Sequence, residues 1–475
     1  MLFTNGIYFV FLIAAFFVYW MIAARVGWRI MFLALASCFI YSQGAGRALL
    51  LLVAVSLIDY STTRLMARSE SKIKRRLLLR VSLAIDIGAL CVFKYANFFI
   101  DSTASAASLI GVSISPAHLD IIAPIGISFF IFQSIAYVID VYRGDVEPAE
   151  SYVDYLAFVS FFPTIVAGPI LRARQLLPQL RKQVTLDPAM GGQALFLISI
   201  GLIKKFAIAD YLSANLVDRI FDFPERFSSL EVLAAIYGYA LEIYADFSGY
   251  SDIAIGSAML FGFRLPANFN APYRAMDLPD FWRRWHISLS TWLRDYVFFT
   301  IAGNRARNVT VLYCGLVVTM LVGGLWHGPT WAFVFWGLLH GTGLVAVRVF
   351  ANARKRFGFA KRNSVWSRAL GVLITFNFVC LAWVFFRAET LDRAIAMLGR
   401  LTTFQTDTAN LSAPVLLIIA LGFVAHFLPD GVSDSLQKGF IRLPALAQAC
   451  VLVALAVGLY FVASSDVVPF IYSRF

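Results

Sequence analysis

The stretch GGLWHGPTW (323–331) sets His327 among glycine, proline, threonine and apolar residues. An imidazole is costly to hold out of water without partners. Neutral imidazole is the usual general base near pH 7. A base aimed at a hydroxyl is typically worth about 10²–10⁴ in rate. The same residue could instead donate to a carbonyl left open at a broken helix end. A second candidate, His286, lies in MDLPDFWRRWHISLSTWLRDYVF (276–298). Its apolar residues, at 281, 282, 285, 289, 292, 293 and 296, follow helical spacing. Asp277 suits an N-cap, Pro279 the first turn and Asp280 the third helical position. The opposite face carries Arg283, Arg284, Ser288, Ser290, Arg294 and Asp295. The spacing predicts one amphipathic helix, rich in Trp and Arg, at or just below a membrane interface. Anchoring explains Trp282, Trp285 and Trp292; it does not require His286.

Other polar residues carry weaker signals. Lys204 and Lys205 sit in the apolar run ISIGLIKKFAIAD, where cations usually face a cavity. They could receive phosphates of a donor entering from the cytoplasm, or snorkel to the interface. His340, in GLLHGTG, lies between Gly337 and Gly341, a GxxxG packing face. His118 follows Pro116 in a loop. HFLPDG (426–431) matches the H-x-x-x-D-G pattern of soluble CoA-dependent acyltransferases, but a span end is the wrong setting for it. GTGLVA (341–346) has no preceding strand and is no dinucleotide loop. There is no P-loop, HExxH or GxSxG elbow. No Cys/His cluster has zinc spacing, so no metal site is expected. The five cysteines are scattered and form no CxxC pair, as buried small hydrophobes do.

These residues must be positioned by helices in a bilayer. Of 475 residues, 60% are hydrophobic and only 14% charged, against about 25% charged in an ordinary soluble domain. The fold class is therefore all-α, a polytopic membrane protein. Spans are expected at 7–24, 28–43, 45–60, 81–100, 121–140, 193–216, 230–247, 309–326, 331–347, 369–386, 412–428 and 445–463, about eleven or twelve helices. No Lys or Arg precedes Arg25, so the first is expected to be a retained span with its N-terminus outside. The basic segments Arg64–Arg80, Arg172–Lys182, Arg305–Arg307 and Arg348–Arg368 then share the cytoplasmic side. Loop clustering of this kind explains the net charge of +12 better than nucleic acid does, and no nucleic-acid partner is expected. Residues 152–170, with Pro163, Gly168 and Pro169, have both ends on that same side. They are expected to form a re-entrant or broken helix, a backbone tolerated only where protein or a water-filled cavity surrounds it. No linker or repeat divides the chain, and residues 1–475 are expected to form a single membrane-embedded domain.

WRRWHISLSTWLRDY, followed some forty residues later by GLWHG, resembles the membrane-bound O-acyltransferase family. The likeness is to the branch that holds the alginate O-acetyltransferase membrane subunit and the teichoic-acid D-alanyl transfer protein. ISFFIFQSIAYVIDVYRGD (127–145), FFPTIVAGPILR (161–172), ADFSGYSDIAIG (245–256) and VFFRAET (384–390) also resemble that branch. WLRDYVFFTIAGNR (292–305) is closer to its polysaccharide-acetylating members. The resemblance implies a ring of helices thinned at its centre, an outer funnel and a narrow tunnel to the cytoplasm. It implies His327 as catalytic residue and His286 as a second polar member of the site. Trp282, Trp285, Trp326, Arg294, Asp295, Lys204 and Lys205 are then candidates to hold substrate or support the histidines.

The activity expected is O-acyl transfer, most simply acetyl, from a cytoplasmic thioester such as acetyl-CoA to an extracytoplasmic hydroxyl. The acceptor would be a secreted polysaccharide such as alginate. The alternatives are D-alanyl or peptidoglycan acyl transfer, or a transporter or flippase without covalent chemistry. The acyl donor would be a co-substrate and no cofactor would be resident. An SGNH-type transferase outside the membrane is the implied partner. The location expected is the bacterial inner membrane.

Overall fold

The computed structural model describes residues 6–121, 123–185, 187–303, 308–358 and 364–462. Every described element is a helix, as the composition requires. The basic segment Arg305–Arg307 and the last residue of the expected span 445–463 lie outside the described residues. Contacts gather into two compact units, residues 1–194 with 254–266 and residues 195–253 with 267–475.

The first unit holds α1 (Gly6–Met21), α2 (Val26–Ala45), α3 (Ala48–Ala67), α4 (Lys72–Leu90), α5 (Ala96–Leu109), α6 (Ile127–Arg143), α7 (Tyr152–Val159), α8 (Ala173–Arg181) and the start of α9 (Pro188–Leu202). α6 is buried along nearly its whole length, and α3 and α4 pack on it. The segment expected to be broken is broken. α7 starts with a capping box between Ser151 and Asp154. It stops at Val159, and turns follow to Pro169. Arg181 closes this region by pairing with Glu150 and Asp154, at 2.7 and 2.6 Å.

The second unit holds the rest of α9, α10 (Asp218–Asp222), α11 (Ser229–Leu260) as far as Ile253, α12 (Leu278–Arg284), α13 (Ile287–Trp292), α14 (Phe299–Ala302), α15 (Val309–His327), α16 (Trp331–Arg356), α17 (Val365–Arg387), α18 (Leu391–Leu401), α19 (Ala413–Phe427), α20 (Asp430–Arg442) and α21 (Ala445–Val462). Its core joins Tyr273, Phe281, Trp285, Trp336, Trp383 and Phe386. α21 buries none of its residues and presents apolar side chains all round, as a lipid-facing helix does.

Among the described residues six helices are long and apolar enough to cross a bilayer: α2, α3, α15, α16, α17 and α21. A seventh candidate is the pair Ala413–Phe427 and Gly431–Arg442, bent by 93°. The remaining expected spans are helical too, but shortened or interrupted. α1 has 16 residues. π-helical turns at Cys91–Tyr95 divide the stretch expected at 81–100. Others at Ile203–Asp210 and Ser213–Val217 divide the one expected at 193–216. α11 runs the other way, to 32 residues, far beyond the expected 230–247. It carries Asp246, which is buried, and Asp252, which is half-buried, within its length.

Candidate active site

Both candidate histidines stand where a helix stops. α15 ends at His327, with Gly328 extended and Pro329 next. Thr330 then caps α16 by accepting from Phe333 N–H. α15 and α16 pack closely because their contact face is glycine. A Cβ on Gly324 would lie 2.2 Å from Phe333 O, and one on Gly337 2.5 Å from Met320 O. A Cβ on Gly341 would lie 2.8 Å from Val317 Cα. The GxxxG face around His340 therefore serves packing. The fold so delivers a 3% exposed imidazole at the head of two close-packed apolar helices.

His286 corrects the expectation of one helix over 276–298. α12 starts as expected, with Asp277 accepting from Asp280 N–H at 2.8 Å. The helix then breaks, because His286 adopts a left-handed conformation at φ 40°, which is strained for a side chain of this type. Asn268, on the preceding loop, holds the break open. Its carbonyl O accepts from Ile287 N–H at 2.9 Å. Its side-chain Oδ1 accepts from Ser288 N–H at 3.1 Å and Ser288 Oγ at 2.9 Å. The same Oδ1 stands 3.2 Å from His286 Nδ1. Asn268 Nδ2 donates to Ser251 Oγ at 3.2 Å. Since Oδ1 can only accept, this network places the proton of a neutral His286 on Nδ1 and its lone pair on Nε2. Burial pushes the His286 pKa down to about 3, so the ring is neutral at physiological pH. Sequence reasoning missed Asn268, since its role appears only when the loop folds back on the break.

The two histidines share a neighbour. The Trp326 ring lies 5.7 Å from that of His286 and 5.0 Å from that of His327, both edge-to-face. Phe247 closes on His286 at 4.5 Å. Trp336 and Phe386 close on His327 at 5.1 and 4.9 Å. The second pair was also missed, since nothing in a local pattern shows which aromatic faces a site. Of the expected site residues, Trp326 touches both histidines. Trp282 reaches the site through Trp336, 5.8 Å away. Trp285 is a core residue packed between Phe269 and Trp383. Arg294 and Asp295 lie on the π-helical turn after α13 and pair with each other at 2.9 Å.

Lys204 and Lys205 each meet a carboxylate. A close crossing brings them there: a Cβ on Gly201 would lie 2.6 Å from Gly249 O, and one on Gly249 2.8 Å from Gly201 O. Residues three or four positions along a helix share a face, so the crossing sets the lysines opposite Asp246 and Asp252. Lys205 Nζ lies 2.7 Å from both Asp246 and Asp210. Lys204 Nζ lies 2.6 Å from Asp252. His426 sits apart from the two histidine breaks in its bonding. Its Nε2 accepts from Tyr273 N–H at 3.1 Å, which makes it a fastener of the loop before α12.

This geometry can be set beside known proteins. The model of MBOAT, the membrane-bound O-acyltransferase family, matches residues 147–389, which contain both histidine breaks. A peptidoglycan O-acetyltransferase of Helicobacter pylori is 32% identical over 94% of this chain and 91% of its own length. A probable alginate O-acetylase AlgI of Azotobacter vinelandii is 42% identical over 70% of this chain and 64% of its own length. A teichoic acid D-alanyltransferase of Streptococcus thermophilus is 29% identical over 61% of this chain and 75% of its own length. A match over half the chain, together with the near full-length relative, settles the family: this multi-pass membrane protein belongs to the membrane-bound O-acyltransferases.

Proposed function

We propose that the chain moves an acyl group, most simply acetyl, from a cytoplasmic thioester such as acetyl-CoA to an extracytoplasmic hydroxyl, in O-acetylation of a secreted or cell-surface polysaccharide such as alginate. The observation that carries this is the pair of buried histidines at helix breaks around one Trp ring, inside the family-matched segment.

In this reading a ring nitrogen of His327 accepts the proton of the acceptor hydroxyl as its oxygen attacks the thioester carbon. The C–O bond forms and the carbonyl π pair moves to oxygen, giving a tetrahedral oxyanion. Its collapse breaks the C–S bond, and the departing sulfur takes the proton from the His327 imidazolium. The products are the ester and a free thiol, and the base is regenerated. The bonding of His286 favours an orienting role. Its Nδ1 proton faces Asn268, so the neutral ring offers a lone pair to the site and accepts from a hydroxyl or from His327. The surrounding rings keep water away, which strengthens each polar interaction within. Lys204 and Lys205, charge-matched by carboxylates, support the site through the α9–α11 crossing. Trp282, Arg294 and Asp295 are proposed supporting residues.

The expected topology puts the α15–α16 break towards the outer face of the bacterial inner membrane. An SGNH-type transferase there would pass the group on to polymer. Peptidoglycan is the second acceptor to consider, because the relative of that name aligns with nearly the whole chain. The test is ester-bound acetyl in purified exopolysaccharide and in peptidoglycan, from cells lacking the protein and from cells complemented with wild type or His327→Ala. Acetyl lost on deletion and restored only by wild type supports the reading, and the fraction affected names the acceptor. Unchanged ester content in both polymers contradicts it.

A further inference from the structure

Unit one contains a polar cluster that acyl transfer does not use. Asp59 lies about 17 Å along α3, near its middle. Asp86 lies on α4, which packs against α3 and α6. Both aspartates are fully buried, and Asp86 lies within electrostatic range of Asp59 and Tyr155. Hydroxyls surround them. Tyr155 Oη donates to Asp59 Oδ2 at 3.4 Å. Ser82 and Ser134 also face Asp59. Ser134 Oγ lies 3.0 Å from Tyr155 Oη, and Thr62 Oγ1 2.6 Å from Ser82 Oγ. Thr63 Oγ1 donates to Asp59 O at 2.7 Å. These residues come from four helices, α3, α4, α6 and α7, and are themselves buried.

Two features call for a ligand. The first is charge. Among the described residues no Lys or Arg pairs with either aspartate, and two adjacent carboxylates cannot both stay ionised in a dry interior. The second is unmet oxygen. Asp86 Oδ1 and Oδ2 are buried and accept no hydrogen bond from the protein, where nearly all such atoms have a partner. Hard cations take oxygen ligands, carboxylate and hydroxyl among them. One shared proton and one monovalent cation would neutralise the pair and fill those two oxygens. We propose that Asp59 and Asp86, with the hydroxyls of Ser82, Ser134 and Tyr155, form a binding site for an alkali cation within the α3–α4–α6–α7 bundle. The site lies outside the residues that carry acyl transfer, so it stands or falls apart from them.

The experiment is thermal unfolding of the full chain in detergent, in choline chloride, sodium chloride, potassium chloride or calcium chloride at equal ionic strength. Sodium or potassium should raise the midpoint over choline by about 2 °C or more, saturably, since a ligand bound to the folded state alone stabilises by mass action. Asp86→Asn keeps the shape and should abolish that response, whatever its own midpoint. Ser82→Ala removes one oxygen and should shift the response to higher salt. Equal midpoints in choline, sodium and potassium overturn the proposal. So does stabilisation by calcium alone, and so does an alkali response that persists in Asp86→Asn.

Discussion

The histidine breaks and the lysine crossing are both polar sites in a largely apolar unit, and they are built in opposite ways. At the crossing, each ammonium meets carboxylate oxygen within 2.7 Å, and the four glycine and lysine positions follow from a single helix contact. At the breaks, two imidazoles are enclosed by Trp326, Trp336, Phe247 and Phe386. A group matched by opposite charge is a structural member: remove it and the partner is left buried and alone. A group held among rings can exchange a proton with a substrate without dismantling its surroundings. The contrast predicts that lysine changes act on stability and histidine changes on turnover.

The largest stability effect should come from Lys205→Ala. Its side chain is 1% exposed and pairs with two carboxylates, so the loss should be about 3–5 kcal/mol in chemical or thermal unfolding in detergent. Lys204, at 23% exposure with one carboxylate partner, should cost clearly less, and equal losses would break the distinction. Gly324→Ala should follow. Its new Cβ meets backbone oxygen at 2.2 Å, and forcing α15 from α16 should cost about 1–3 kcal/mol and disturb the His327 ring as well. Asn268→Ala removes the acceptor that orients His286. It should lower kcat by about tenfold, the equivalent of one hydrogen bond of about 1.4 kcal/mol, and a KM effect without a kcat effect would argue for a binding role. The last effect concerns pH. His286 is neutral when folded down to about pH 3, but the unfolded chain takes up a proton below about pH 6.5. Its contribution to stability is therefore whole above pH 6.5 and is lost as pH falls towards 3, by at most about 1.4 kcal/mol per pH unit. His286→Gln should flatten that part of the unfolding profile by one proton.

The parts of this arrangement that were legible in the sequence are those encoded locally. The break at His327 is written in the Gly328–Pro329 pair that ends an apolar run, and the α12 start in Asp277 and Pro279. The break at His286 is not. Helical spacing continues through residues 276–298, and no glycine marks the left-handed residue. The loop carrying Asn268 overrides the local preference with backbone and side-chain bonds. Two of the lysine partners were equally hidden, because Asp252 and Asp246 lie 48 and 41 residues away. Interrupted spans escaped for a related reason: hydropathy shows how apolar a run is, and a π-helical turn such as Cys91–Tyr95 changes the path of a helix without changing its composition.

In the proposed reaction His327 removes the acceptor proton. The most direct test follows free CoA release from acetyl-CoA by the purified chain with its acceptor, for wild type and His327→Ala, with unfolding midpoints recorded for both. Turnover in wild type should fall by about 10²–10⁴ in the variant while the midpoint stays within a few degrees. Equal turnover in the two proteins would contradict it and move the base to His286.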